Sequence, residues 1–136
     1  MANFQEGSSR LNFPSGNDFT SNGTTFNAPY TVVKLSNGKV VPVAATTDPA
    51  IGVLYNCPTA AGNADVLSLN QQGSGKIVAG GAITAGQYIT FNATGQAVAA
   101  TQSTAGAQPT VQVIGRALEA AASGQVFAYE SLFFLF

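Results

Sequence analysis

From Pro29 onward the chain is written in short runs of β-branched and other apolar residues, each closed by Gly, Pro, Asn or Asp. Runs of that length bounded by turn residues read as strands. Residues 30–35 and 39–43 flank Ser36-Asn37-Gly38, and Asn-Gly supplies the positive φ angles of a type I′ turn, so the pair reads as a hairpin. Residues 51–55, 66–69 and 76–79 are predicted as further strands. Residues 88–91 and 96–100, joined at Thr94-Gly95, make a second hairpin, and residues 111–114 and 125–129 follow as strands. Helix is admissible only over residues 116–122, a stretch short enough to be marginal.

These strands fall into two copies of one pattern. In the first, a hairpin turning at Asn37-Gly38 leads to Ile51-Gly52-Val53-Leu54, then to Ala61-Gly62-Asn63 and a strand at Val66. In the second, a hairpin turning at Gly95 leads to Ile114-Gly115-Arg116-Ala117-Leu118, then to Ser123-Gly124-Gln125 and a strand at Val126. Two such units share a core more readily than either stands alone. The fold class expected is all-β: a single antiparallel β-barrel or sandwich built from two similar halves, with an extended N-terminal arm. Its expected core is Val32, Leu35, Val41, Ile51, Val53, Val66, Leu67, Ile89, Phe91, Val98, Ile114, Leu118 and Val126.

The two ends read differently, giving an arm at 1–28, a β-domain at 29–130 and an apolar tail at 131–136. The arm is Asn-, Ser-, Gly- and Thr-rich, and its Phe4, Phe13, Phe19 and Phe26 fit neither a helical nor a strand period. Gly7, Pro14, Gly16 and Gly23 break any regular element, so an extended arm is expected here and not a piece of a packed domain. Its four rings are expected at an interface with another protein chain, the alternative being an arm folded back as an edge strand of its own domain. In the tail, Leu132, Phe133, Phe134, Leu135 and Phe136 put apolar side chains on both faces of a strand. One core cannot hide both faces, so the tail is expected at a subunit interface.

Composition sharpens this picture. Charged residues are only 8% of the chain, with a net charge of −1, against about 25% in ordinary soluble proteins. A surface so poor in charge suits burial in an assembly and attracts neither phosphate backbones nor anionic lipid, so no nucleic-acid or membrane partner is expected. No apolar run reaches membrane-spanning length and the N-terminus lacks a secretion signal, so synthesis in a cytoplasm is expected. The chain has no His, a lone Cys57, and six scattered carboxylates, Glu6, Asp18, Asp48, Asp65, Glu119 and Glu130. Neither a metal site nor a nucleophile with its base can be read from these, and no enzyme or cofactor is expected. Gly73-Ser74-Gly75-Lys76 fails as a phosphate loop, since Asn70 and Ile77 stand where Gly and Ser or Thr are required.

The duplicated residues also carry a resemblance. Val40-Val41-Pro42-Val43-Ala44, Pro49-Ala50-Ile51-Gly52-Val53-Leu54, Gly80-Gly81-Ala82-Ile83-Thr84-Ala85-Gly86-Gln87-Tyr88-Ile89-Thr90 and the stretch 113–126 resemble the capsid cement, or head decoration, proteins of tailed bacteriophages. That resemblance covers roughly residues 30–130 and leaves both ends outside it. It implies a structural virion protein on the outer surface of the head, made in the host cytoplasm, that bridges neighbouring subunits of the major capsid protein. It further implies a homo-oligomer, expected as a homotrimer. A virion fibre-associated or receptor- or glycan-binding module is the alternative.

Overall fold

The computed structural model describes residues 10–20, 29–69, 71 and 73–136; Phe4 and Phe26 lie outside them. The described residues form strands β1 (Arg10–Pro14), β2 (Val32–Ser36), β3 (Lys39–Pro42), β4 (Ala50–Leu54) and β5 (Asn63–Ser68), then β6 (Ser74–Val78), β7 (Tyr88–Phe91), β8 (Ala97–Ala99), β9 (Gln112–Ala117) and β10 (Val126–Leu135). Residues 116–122, admissible as helix by sequence, instead end β9 and continue as a loop whose Ala121 bridges Ile83. A helix there would remove the Ala117 and Leu118 N–H groups from their acceptors, the Gln87 and Ala128 carbonyls.

The strands make two five-stranded antiparallel sheets, ordered β1-β5-β4-β2-β3 and β6-β10-β9-β7-β8. Each strand of the second sheet stands where the strand five places earlier stands in the first, so the two similar halves expected from sequence share one topology. Neither sheet closes into a barrel: its edges meet at one parallel bridge, Ser15 with Val40 and Ala79 with Ala97. The duplication reaches individual hydrogen bonds. Gly16 N–H donates to the Val40 carbonyl and Gly80 N–H to that of Ala97, at 2.8 and 2.7 Å. Phe19 N–H donates to Pro58 and Ile83 N–H to Ala121, at 2.9 and 2.8 Å.

The repeated Ile-Gly has a steric reason. A Cβ on Gly52 would lie 2.2 Å from the Leu67 carbonyl oxygen, and one on Gly115 would lie 2.6 Å from that of Glu130. Glycine therefore lets β4 and β9 approach β5 and β10. At the first hairpin Asn37 and Gly38 take φ of 53° and 73°, the left-handed pair a type I′ turn requires.

Each half has an interior. In the first, Phe19, Val33, Val40, Leu54, Ala64 and Val66 are buried, with Leu11, Phe13 and Ile51 packed against them. The second is built on Ile77, Ile83, Ile89, Phe91, Ile114, Phe127 and Tyr129, and it also takes in Val32, Val43 and Val53 from the first half. The first sheet is thus covered on both faces, which is why adjacent residues such as Val32-Val33 and Val53-Leu54 are all buried.

The expected core needs correction at three positions. Leu35, Leu118 and Val126 are 37%, 50% and 46% exposed. Leu35 precedes the exposed Asn37-Gly38 turn, while Leu118 and Val126 alternate with the buried Ala117 and Phe127 and so point to the outer face of the second sheet. Val41, Ile51 and Val98 are half-buried, and the other expected core residues are buried.

Candidate interaction surface

The carboxylates among the described residues are occupied by structure. Asp48 Oδ2 accepts from Lys34 Nζ at 2.8 Å and from the Ala44 and Ala45 N–H groups at 2.7 and 3.0 Å. The Lys34 hydrogen bond, reinforced by that of Ala44, holds the Asp48 carboxyl down at about 2. The loop it organises joins the halves, because Gln112 Nε2 donates to the Asp48 carbonyl at 2.8 Å and to that of Thr46 at 3.2 Å. Asp65 pairs with Arg10, Glu130 with Arg116, Asp18 accepts from Thr20, and Glu119 accepts from the Ala128 N–H. No group of three His, Cys, Asp or Glu that could hold a metal occurs among the described residues.

An open groove of about 360 Å³ is lined by Thr46 and Thr47 of the Asp48 loop and by the second half's Thr90, Asn92, Thr101 and Gln112. Its lining side chains are all uncharged and gather no set of reactive groups.

The sequence-predicted contact residues fall in different surroundings. Phe13 lies on β1, opposite Ala64 of β5, half-buried against the first interior. Phe19 is 0% exposed within the same interior, so its ring is spent on its own domain. The tail is the C-terminal part of β10, where the register shifts between Ser131 and Phe134. Phe134 and Phe136 turn toward Tyr88 and form a set of edge-to-face rings with centroids 5.1, 5.5 and 5.8 Å apart. The Phe136 N–H donates to the Val111 carbonyl at 2.9 Å, and Ser103 Oγ donates to the Phe136 carbonyl at 2.8 Å. Leu132 is half-buried. By strand alternation Phe133 and Leu135 point to the other face, past the end of the core, where they are 38% and 54% exposed.

Sequence reading missed one row of residues. Tyr88, Arg116 and Glu130 stand side by side across β7, β9 and β10, with Leu118 beyond Arg116. Tyr88 is 37% exposed, and the Arg116 and Glu130 side chains, joined at 2.7 Å, are 45% and 40% exposed. The Glu130 hydrogen bond raises the Arg116 pKa. The available signal was the second copy's Arg116, which follows Ile114-Gly115 where the first copy has Val53 after Ile51-Gly52.

Beneath this surface Tyr129 is 0% exposed, its hydroxyl has no hydrogen-bond partner among the described residues, and burial pushes its phenol pKa up. The Ser131 hydroxyl is likewise buried without a partner among them.

The family model described as phage cement protein matches residues 20–131. No curated protein sequence matches the chain. Among solved structures, the head fiber gp8.5 N base of bacteriophage phi29 superposes with a TM-score of 0.63 at 18% identity, covering 90% of this chain and 92% of that one. At that identity the likeness is one of fold.

Proposed function

The chain belongs to the phage cement protein family and is a structural protein of a phage virion, and we propose that it binds the outer surface of the head and bridges neighbouring major capsid subunits as a homotrimer. The observation that carries this reading is the family match, which runs through both halves of the duplicated fold and not through one motif. The surface agrees with it: charge is scarce, and Phe133, Leu135, Leu118 and Tyr88 are exposed apolar groups of the kind that assemblies cover. Phe133 and Leu135 are the tail residues free to enter a subunit contact. Phe13, together with Phe4 and Phe26, belongs to the part of the arm assigned to the capsid or a neighbouring subunit.

Co-sedimentation with emptied, decoration-free heads tests the proposal. The protein should pellet with the heads, saturate at a fixed ratio, and raise the temperature at which they open. Protein that stays in the supernatant at every concentration, or that binds host cells instead of heads, refutes it in favour of a receptor-binding module.

A further inference from the structure

The two halves of the chain meet through unlike faces. The first half presents the outer side of its sheet, where Val32, Val53 and Leu67 stand in a row across β2, β4 and β5, flanked by Tyr30 and Tyr55. The second half covers that row with β6 and the Thr94-Gly95 turn. Val32 N–H donates to the Gly95 carbonyl at 2.8 Å, Val78 N–H to the Tyr30 carbonyl at 3.0 Å, and the Lys76 N–H to the Tyr55 hydroxyl. Gly75 sits so close that a Cβ there would lie 2.5 Å from Leu67 Cδ2.

Because both sheets have one topology and register, each of these parts has a counterpart in the other half. The row Val32, Val53, Leu67 corresponds to Tyr88, Arg116, Glu130, and Tyr55 corresponds to Leu118. That second row is partly exposed, with the Tyr88 ring also meeting Phe134 and Phe136, and Leu118 is half exposed. The covering parts, β6 and the Gly95 turn, correspond to β1 and the Asn37-Gly38 turn, which are also open: Asn12, Pro14, Asn37 and Gly38 are exposed. Among the described residues, each chain therefore uses one copy of a two-sided contact and leaves the other copy's two sides uncovered.

We propose that a second copy of this chain docks its β1 edge and Asn37-Gly38 turn onto the Tyr88, Arg116, Leu118 and Glu130 face, repeating between chains the contact that joins the halves within one. The inference rests on the self-association in the function proposed above and names the surfaces that make it. In the docked copy the Gly38 carbonyl takes the place of Gly95, against the Tyr88 N–H, and Asn12 takes the place of Lys76, beside Leu118. Pro14 stands where Val78 donates, so that one backbone bond is not repeated. With an ion pair in place of Val53 and Leu67, the contact between chains is more polar than the contact within one, as fits subunits that fold before they meet. It is heterologous, since each copy gives two different faces, and three copies close if each is turned by a third of a circle.

Asn12→Arg and Leu118→Arg test it, each placing a large cation on one of the two faces at an exposed position. Both variants should keep the far-ultraviolet circular dichroism of the parent and unfold cooperatively. In sedimentation velocity across a dilution series the parent should associate and each variant should run as a monomer. An equimolar mixture should restore a dimer and nothing larger, because only one intact pair of faces remains. Variants that associate like the parent, a mixture that stays monomeric, or a parent that is monomeric throughout each overturn the contact. A monomeric parent that still saturates emptied heads overturns this contact alone and leaves capsid binding standing.

Discussion

Replacing Phe19 by Ala separates a core residue from a free anchor. The ring is 0% exposed and packs with Val33, Val40, Leu54, Ala64 and Val66. Its N–H is held by the Pro58 carbonyl at 2.9 Å, so the backbone stays in place and cannot collapse freely into the space left behind. Loss of transfer free energy is worth about 1.5–3 kcal/mol, and the residual cavity brings the total to about 3–5 kcal/mol. For a chain of this length the unfolding entropy is roughly 0.3 kcal/mol/K, so the melting temperature should fall by about 10–17 °C. Thermal and urea unfolding followed by far-ultraviolet circular dichroism, at matched concentrations of variant and parent, measures both quantities. Phe13→Ala, at a half-buried ring, should cost less. If Phe19→Ala unfolds like the parent but no longer pellets with heads, then Phe19 acts on a partner and the reasoning from its burial fails.

Other outcomes follow from single features. Gly52→Ala and Gly115→Ala should each destabilise by at least about 1–3 kcal/mol, because the new methyl meets a backbone carbonyl that cannot move aside; Gly81→Ala, with nothing within 4 Å, is the control in the same urea titration. Asp48 titrates at about 2 in the folded chain against an ordinary 3.8, so its contribution is fully present above about pH 4 and is lost as pH falls toward 2. Asp48→Asn should flatten that part of the stability profile while lowering stability at neutral pH, and an unchanged acid limb would show that the Lys34 link does not matter. Tyr129→Phe removes a buried hydroxyl that lacks a partner among the described residues, so stability should hold or rise; a loss above about 1 kcal/mol in the same unfolding assay would mean that the hydroxyl is bonded after all.

Local chemistry was legible in the sequence because it depends on neighbours along the chain. Asn37-Gly38 announces its hairpin through backbone conformation alone, and Ile51-Gly52 and Ile114-Gly115 mark equivalent strands because a methyl would strike the adjacent carbonyl in either half. From those repeats the all-β class and the two similar halves could be read. What the tertiary structure decided was which copy of each repeated position is covered. Val32 and Tyr88 hold equivalent places in equivalent sheets, yet one is 1% and the other 37% exposed, because the second half stacks on the first and nothing among the described residues stacks in the same way on the second. The same non-local fact left β1 an alternative and not the leading expectation for the arm. Arg10-Leu11-Asn12-Phe13-Pro14 is short, ends in proline and carries few strand-forming residues, and it becomes a strand because β5 offers it an edge. Only by setting Gly16 and Phe19 against Gly80 and Ile83 does the first strand of the first half come into view. Burial is a property of what lies opposite a residue, and a sequence states only what lies beside it.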